Sequence, residues 1–91
     1  MNTLYNLMDE IRNNTFLTDA IDFENVLIDI HYYTWNSDGL TITDTNEFDN
    51  FAEFEQEAEN NKNYQTTYYH NIEYMKNDES GLIDYLTIWV G

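Results

Sequence analysis

The segment of residues 44–61 constrains the fold most, because its apolar residues recur at helical spacing. Phe48, Phe51, Phe54 and Ala58 fall near one side of a helix that turns about 100° per residue. Most other residues of the segment are acids or amides. We therefore predict one central amphipathic helix here, with its apolar side packed on the core.

The start of this helix is predicted from its first polar residues. Asp44 or Thr45 would serve as the N-cap, and Glu47 follows Asp44 by three residues, which is the spacing of a capping box. Acids in the first turn are also favoured by the helix dipole. The sequence thus predicts that the helix begins directly after Asp44 or Thr45.

The opposite side of the predicted helix is a stripe of acids, formed by Asp49, Glu53 and Glu57. Acids four residues apart repel by about 0.2–0.5 kcal/mol per pair, and we expect these acids to have no basic partners. Six carboxylates lie between Glu47 and Glu59, or about one per 3 Å of helix. One DNA strand carries a phosphate about every 3.4 Å. The stripe is therefore predicted to imitate nucleic acid.

Composition limits the partners of the chain. Its 91 residues make one domain with one core, predicted to span 1–91. Asp and Glu number 18 against 3 Lys and Arg, for a net charge of −15. This charge argues against binding to phosphates or anionic membranes and predicts a basic protein partner. A solvated surface that aids solubility is the alternative, but the imbalance extends along the whole chain.

Residue usage also bears on order and location. Hydrophobic residues make up 42% and aromatic residues 16% of the chain, which favours a folded domain over disorder. There is no cysteine, so neither a disulfide framework nor a thiolate metal site is possible, which fits a cytosolic protein. The first ten residues lack the basic and apolar regions of a signal peptide, and no stretch is long enough to span a bilayer. We expect a cytoplasmic protein.

The other elements follow from local periodicity. We predict a helix at 3–13 with Leu4, Leu7, Met8 and Ile11 on one side, and a loop at 15–25. Strands are predicted at 26–35, 40–43, 64–75 and 82–90, with turns at Asn36–Gly39 and Asn77–Gly81. The sequence thus predicts an α+β fold, with a four-stranded antiparallel sheet of two hairpins, an N-terminal helix and a central acidic helix. The helices are expected mainly on one face of the sheet.

Catalytic and metal-binding patterns are weak. The chain has two histidines and no Gly-rich phosphate loop. His70 and Glu73 are three residues apart in a predicted strand and would point to opposite faces. Counted from Asp44, the segment has Asp49 at position 6, where an EF-hand loop requires glycine. We expect no enzymatic activity, no catalytic residues, no cofactor and no bound metal.

Aromatic residues predict a second surface. Most of them fit core or sheet packing, but one group would form an exposed aromatic face suited to an interface or to a homodimer. This group is Tyr33, Trp35, Tyr69, Tyr85 and Trp89. A homodimer paired through the terminal strand, Leu86–Val90, is one alternative to a monomer.

The chain resembles the small phage-encoded DNA-mimic inhibitors, particularly the anti-CRISPR proteins that occupy the DNA-binding groove of Cas9, and more distantly the antirestriction proteins. The resemblance lies in chain length, in a short N-terminal helix with Leu7, Glu10 and Ile11, in the Asn36–Gly39 hairpin, and in the acidic helix that follows. It covers the whole chain in layout.

The resemblance implies a stoichiometric inhibitor, acting in the host cytoplasm, that blocks the surface where a nuclease holds DNA. The partner-binding residues would be acids that replace phosphates: Asp38, Asp44, Glu47, Asp49, Glu53, Glu57, Glu59, Asp78 and Glu79. Three alternatives stay open. They are an immunity protein that neutralises a basic toxin nuclease, an antirestriction protein acting on a restriction-modification enzyme, and a structural phage or plasmid protein.

Overall fold

The structure, a computed structural model, describes residues 2–13 and 20–91. Within these residues the chain forms two α-helices, one 3-10 turn and four strands. In chain order they are α1 (Leu4–Arg12), β1 (Leu27–Asn36), β2 (Gly39–Phe48), α2 (Phe51–Asn60), the 3-10 turn (Lys62–Gln65), β3 (Asn71–Lys76) and β4 (Ile83–Val90). The α+β class and both predicted hairpins are confirmed.

The sheet is mixed, so the prediction of a purely antiparallel sheet is wrong. The strand order is β2-β1-β4-β3, and β1 and β4 run parallel, with Ile28 opposite Leu86 and Ile30 opposite Ile88. The hairpin patterns predict which strands pair locally but not how the two hairpins meet. The strands with the most apolar inner faces, β1 and β4, take the centre, where parallel pairing buries them best.

This order bears on one alternative, a homodimer paired through the terminal strand. The terminal strand β4 is bonded to β1 on one side and to β3 on the other. Its backbone is therefore already paired, and a homodimer through Leu86–Val90 would have to open the sheet. The edges of the sheet are β2 and β3. Association through another surface stays a prediction.

The central helix begins later than predicted. Residues 44–48 continue β2, because the ten-residue strand β1 offers partners along its whole length, with Tyr32 opposite Asp44 and Ile28 opposite Phe48. The N-cap is Asn50, whose side-chain oxygen accepts the N–H of Glu53 at 2.9 Å. The sequence thus contained a capping signature, Asn50 followed by Glu53, six residues after the predicted cap at Asp44.

Three other predictions have clear outcomes. The helix at 3–13 is confirmed with its four predicted apolar residues buried. The strand predicted from Tyr64 is wrong for 64–70, because Tyr64 is buried within the 3-10 turn and the strand starts only at Asn71. Residues 14–19 of the predicted loop lie outside the described residues, and the remainder pairs Ile21 with Ile83 and turns at 23–25.

The core lies between one face of the sheet and the two helices, as predicted. The inward-facing residues Ile28 and Ile30 of β1 and Leu86 and Ile88 of β4 share one buried core with Phe51, Phe54 and Ala58 of α2. Phe48 reaches this layer from β2, and its ring centroid lies 5.5 Å from that of Phe54. The opposite, outer face carries exposed side chains, including Trp35 and Met75. This two-layer arrangement therefore positions both the predicted acidic surface and the predicted aromatic surface.

Candidate partner-binding surfaces

Five of the predicted acids lie along one border of the molecule, on β2, the bend after it and α2. We call this group the acidic edge: Asp44, Glu47, Asp49, Glu53 and Glu57. Because β2 is an edge strand and its side chains alternate, Asp44 lies on the helix side and Glu47 on the outer side, opposite Asp29. The edge therefore presents carboxylates on both faces of the sheet.

The acids of α2 divide into two flanks. At about 100° per residue, Glu53 and Glu57 lie on one flank, and Glu55 and Glu59 lie on the other. Only the second flank meets Arg12, whose Nε lies 2.8 Å from Glu55 Oε2 and whose Nη2 lies 2.6 Å from Glu59 Oε1. The prediction that the helix acids have no basic partners is wrong for this flank.

This pairing concentrates uncompensated charge elsewhere. Bonding to Glu59, and then to Glu55, raises the pKa of the Arg12 guanidinium above its ordinary value. The chain has three basic residues, so two lysines remain for the other sixteen carboxylates. Attraction to a basic surface is therefore expected to come mainly from acids outside the Arg12 flank.

Asp44 and Glu57 converge on a pair of tyrosines behind the edge. Burial raises the pKa of Tyr32 and of Tyr64, which share a hydrogen bond. The carboxylates of Asp44 and Glu57 further raise the pKa of Tyr32, and Glu57 does the same for Tyr64. Both hydroxyls are therefore held neutral beside the acidic edge.

Local hydrogen bonds hold the carboxylates of Glu53 and Glu57 in place. Glu53 Oε1 accepts the N–H of Asp49 at 3.1 Å, so this carboxylate both caps the helix and faces outward. Glu57 Oε1 accepts from the side-chain amide of Asn61 at 3.0 Å. These bonds fix the position of the carboxylates before any partner arrives, which lowers the entropic cost of binding.

The other predicted acids do not join the acidic edge. Asp38 lies at the tip of the β1–β2 hairpin, whereas Asp78 and Glu79 lie in the β3–β4 turn. These turns are at opposite ends of the sheet, because β4 begins beside the start of β1. Ten residues of β1 span roughly 30 Å at about 3.3 Å per residue. The nine predicted residues therefore form several patches, and Glu59 lies apart beside Arg12.

The outer face of the sheet carries the aromatic group. The ring centroid of Tyr33 lies 6.1 Å from that of Trp35, 5.9 Å from that of Trp89 and 5.2 Å from that of His70. Tyr85 lies on the same face and donates its hydroxyl hydrogen bond to Asp29. We call this surface the aromatic face. Four of the five predicted residues therefore share the outer face, where Trp35 is exposed and Tyr33, Tyr85 and Trp89 are half-buried.

Tyr69 does not belong to the aromatic face, whereas the two histidines, which were not predicted there, do. Tyr69 packs against the core, where burial raises its pKa and Glu10 of α1 raises it further. His31 stacks on Trp89 with centroids 4.9 Å apart, and His70 bonds the Tyr33 hydroxyl. The alternation of β1 places His31 beside Tyr33 and Trp35, so the sequence held this signal.

The aromatic face contains an open cavity of about 250 Å³. It is lined by Tyr33, Trp35, Leu40, His70, Asn71, Glu73 and Trp89. Trp89 Nε1 donates to Glu73 Oε1 at 2.7 Å. No group of three His, Cys, Asp or Glu side chains able to hold a metal is found within residues 2–13 and 20–91.

Comparisons of the chain with protein-family models, with curated proteins and with solved structures find no match. In the part of the chain that the structure describes, no helix is long and apolar enough to cross a membrane.

Proposed function

We propose that the chain is a stoichiometric inhibitor that imitates DNA and binds the basic nucleic-acid-binding surface of a bacterial defence nuclease, with Cas9 as the favoured target. One observation carries the proposal. The acidic edge holds five carboxylates along an edge strand and one helix flank, while Arg12 compensates only the opposite flank.

Self-repulsion at this net charge opposes folding, so a selective benefit has to offset it. A surface that binds lysines and arginines supplies that benefit. Such a surface also speeds association, because complementary fields steer the two proteins together. A nuclease that grips DNA through many basic residues presents the matching field.

The proposal is tested by DNA competition with the full chain. Guide-loaded Cas9 is bound to a fluorescent duplex carrying the target sequence and its PAM, and the chain is titrated in while anisotropy is recorded. We expect release of DNA at about one chain per nuclease, because mimicry occupies the DNA site.

A poly-glutamate peptide of matched net charge serves as the control, since a folded mimic should act at far lower concentration than a flexible polyanion. If the duplex stays bound in the presence of excess chain, the proposal that the chain occupies the DNA site of Cas9 is contradicted. Repeating the assay with a restriction-modification enzyme and with a toxin nuclease then distinguishes the other basic targets.

A further inference from the structure

The aromatic face holds a cleft whose shape and chemistry suit one cationic side chain. Its walls are Tyr33, Trp35 and Trp89, with interplanar angles of 89° between Tyr33 and Trp35 and 74° between Tyr33 and Trp89. The rings touch edge to face, with centroids about 6 Å apart, and all three line the same cavity. A cation in the cavity, over an exposed ring face, would lie within the range of cation–π attraction.

An acid completes the cleft. Glu73 on β3 lies opposite Thr87 of β4, and its carboxylate lines the cavity while one oxygen accepts from Trp89. A carboxylate offers about four acceptor positions, so one indole bond leaves capacity for a guanidinium. Among the described residues that line the cavity there is no lysine or arginine. The site is therefore electrostatically suited to a cation and not to an anion.

The exposure and size of the cleft select its occupant. Trp35 is 72% exposed, which is unusual for so large an aromatic side chain. The volume of about 250 Å³ falls below the roughly 300–1,000 Å³ typical of small-molecule sites. A single side chain of a protein partner fits this volume better than a whole metabolite.

We infer that this cleft binds an arginine side chain of a basic protein partner, on the rings of Trp35 and Trp89 that line it and against Glu73. Arginine is preferred over lysine because its planar guanidinium stacks on aromatic rings and donates to a carboxylate with two bonds. Binding anchors at interfaces are enriched in Trp, Tyr and Arg. The inference rests on the proposed function only in requiring a basic partner.

The test does not need the nuclease. Both tryptophans of the chain line the cleft, so intrinsic fluorescence reports on it directly. The full chain is titrated with blocked arginine, blocked lysine and blocked citrulline at constant ionic strength. We expect a saturable change, with arginine binding about threefold or more tighter than lysine and about tenfold tighter than the neutral citrulline.

Two variants localise the effect. Glu73→Gln keeps an acceptor for the Trp89 indole and removes the charge, and Trp35→Leu removes one wall at an exposed position. Each should lose the preference for arginine, whereas Asp9→Asn, with the same change of charge on α1, should keep it. Equal binding of arginine and citrulline, or a preference unchanged in Glu73→Gln, would overturn the inference.

The two proposals fail separately. Retained arginine binding together with DNA that stays on the nuclease would leave the cleft intact and reject DNA mimicry. Release of DNA from the nuclease, together with no preference for arginine, would support DNA mimicry and reject the inference that the cleft binds arginine.

Discussion

Arg12 has an effect beyond its single charge, because it connects two glutamates of another helix. Glu55 and Glu59 are four residues apart and would repel, yet both face the same guanidinium. The three side chains are partly or fully exposed, so solvent screening keeps the stabilisation small. This contact joins residues 43 and 47 positions apart, which is why local periodicity did not reveal it.

Replacing Arg12 should therefore expose the repulsion. We expect Arg12→Gln to lower the urea midpoint slightly, and we expect the triple variant Arg12→Gln, Glu55→Gln, Glu59→Gln to recover most of the loss. Urea unfolding followed by circular dichroism measures both. A triple variant no more stable than Arg12→Gln would show that repulsion between the glutamates is not the cause.

Tyr64 links stability to alkaline pH. It is 3% exposed, and burial raises its pKa above the ordinary value of about 10. A raised pKa in the folded state means that the stabilising contribution is complete below about pH 10 and is lost as the pH rises beyond it. We expect the unfolding free energy to fall between about pH 10 and pH 11.

The matched variants are Tyr64→Phe, which should reduce the alkaline loss, and Tyr74→Phe, an exposed tyrosine whose loss should leave it unchanged. Tyr64→Phe will also lower stability at neutral pH, because the Tyr64 hydroxyl no longer donates to Asn46 Oδ1, at 3.4 Å, or contacts the Tyr32 hydroxyl. Urea titrations from pH 8 to pH 11 provide the measurement. An identical alkaline decline in both variants would assign the pH dependence to other groups.

At the scale of elements, the boundary between β2 and α2 decides which acids belong to a helix. Asp44 and Glu47 matched a capping box, but pairing with β1 holds both in a strand. Cross-strand pairing along ten residues outweighs a local cap worth about 1 kcal/mol. The sequence therefore identified the helix and its apolar side, whereas its start depended on the length of a partner strand.

The true cap gives a direct test of this boundary. Asn50→Ala should cost about 1 kcal/mol, because the N–H of Glu53 loses its acceptor. Asn50→Ser should retain most of the stability, since serine is an equally good N-cap. Thermal and urea unfolding measure the difference. No loss in Asn50→Ala, or an equal loss in both, would contradict the assigned start of α2.

For the whole molecule, repulsion among carboxylates is expected to dominate its response to salt. The net charge is −15, and the Debye length shortens from about 20 Å at 20 mM salt to about 7 Å at 200 mM. We expect stability to rise over this range, by on the order of 1 kcal/mol, or roughly 4–8 °C in midpoint. Thermal unfolding in NaCl measures it, and a midpoint that falls with salt would show that ion pairs outweigh repulsion.

The candidate surfaces were only partly predictable at this scale. Helical spacing located Glu53 and Glu57 on α2, whereas Asp44 and Glu47 were selected as residues of the same helix and lie in β2. The separation of Asp38 from Asp78 and Glu79 was not predictable, because it depends on how the hairpins meet. Tyr69 was misassigned for a related reason, since its strand was predicted to begin too early.

The central claim is that the acidic edge, and not net charge alone, replaces DNA. Two variants with the same charge on the same helix test it: Glu53→Gln with Glu57→Gln on the edge, and Glu55→Gln with Glu59→Gln on the Arg12 flank. Glutamine preserves an oxygen for the bonds to Asp49 and Asn61. The measurement is the concentration of each folded variant that displaces target duplex from guide-loaded Cas9.

The edge variant should require at least about tenfold more protein than the native chain, which corresponds to about 1.4 kcal/mol. The flank variant should require less than about threefold more, because Arg12 already offsets one of those two charges and both side chains lie on the flank of α2 away from the acidic edge. Equal loss in the two variants would attribute inhibition to net charge, and a larger loss in the flank variant would place the DNA-mimicking surface on the opposite side of α2.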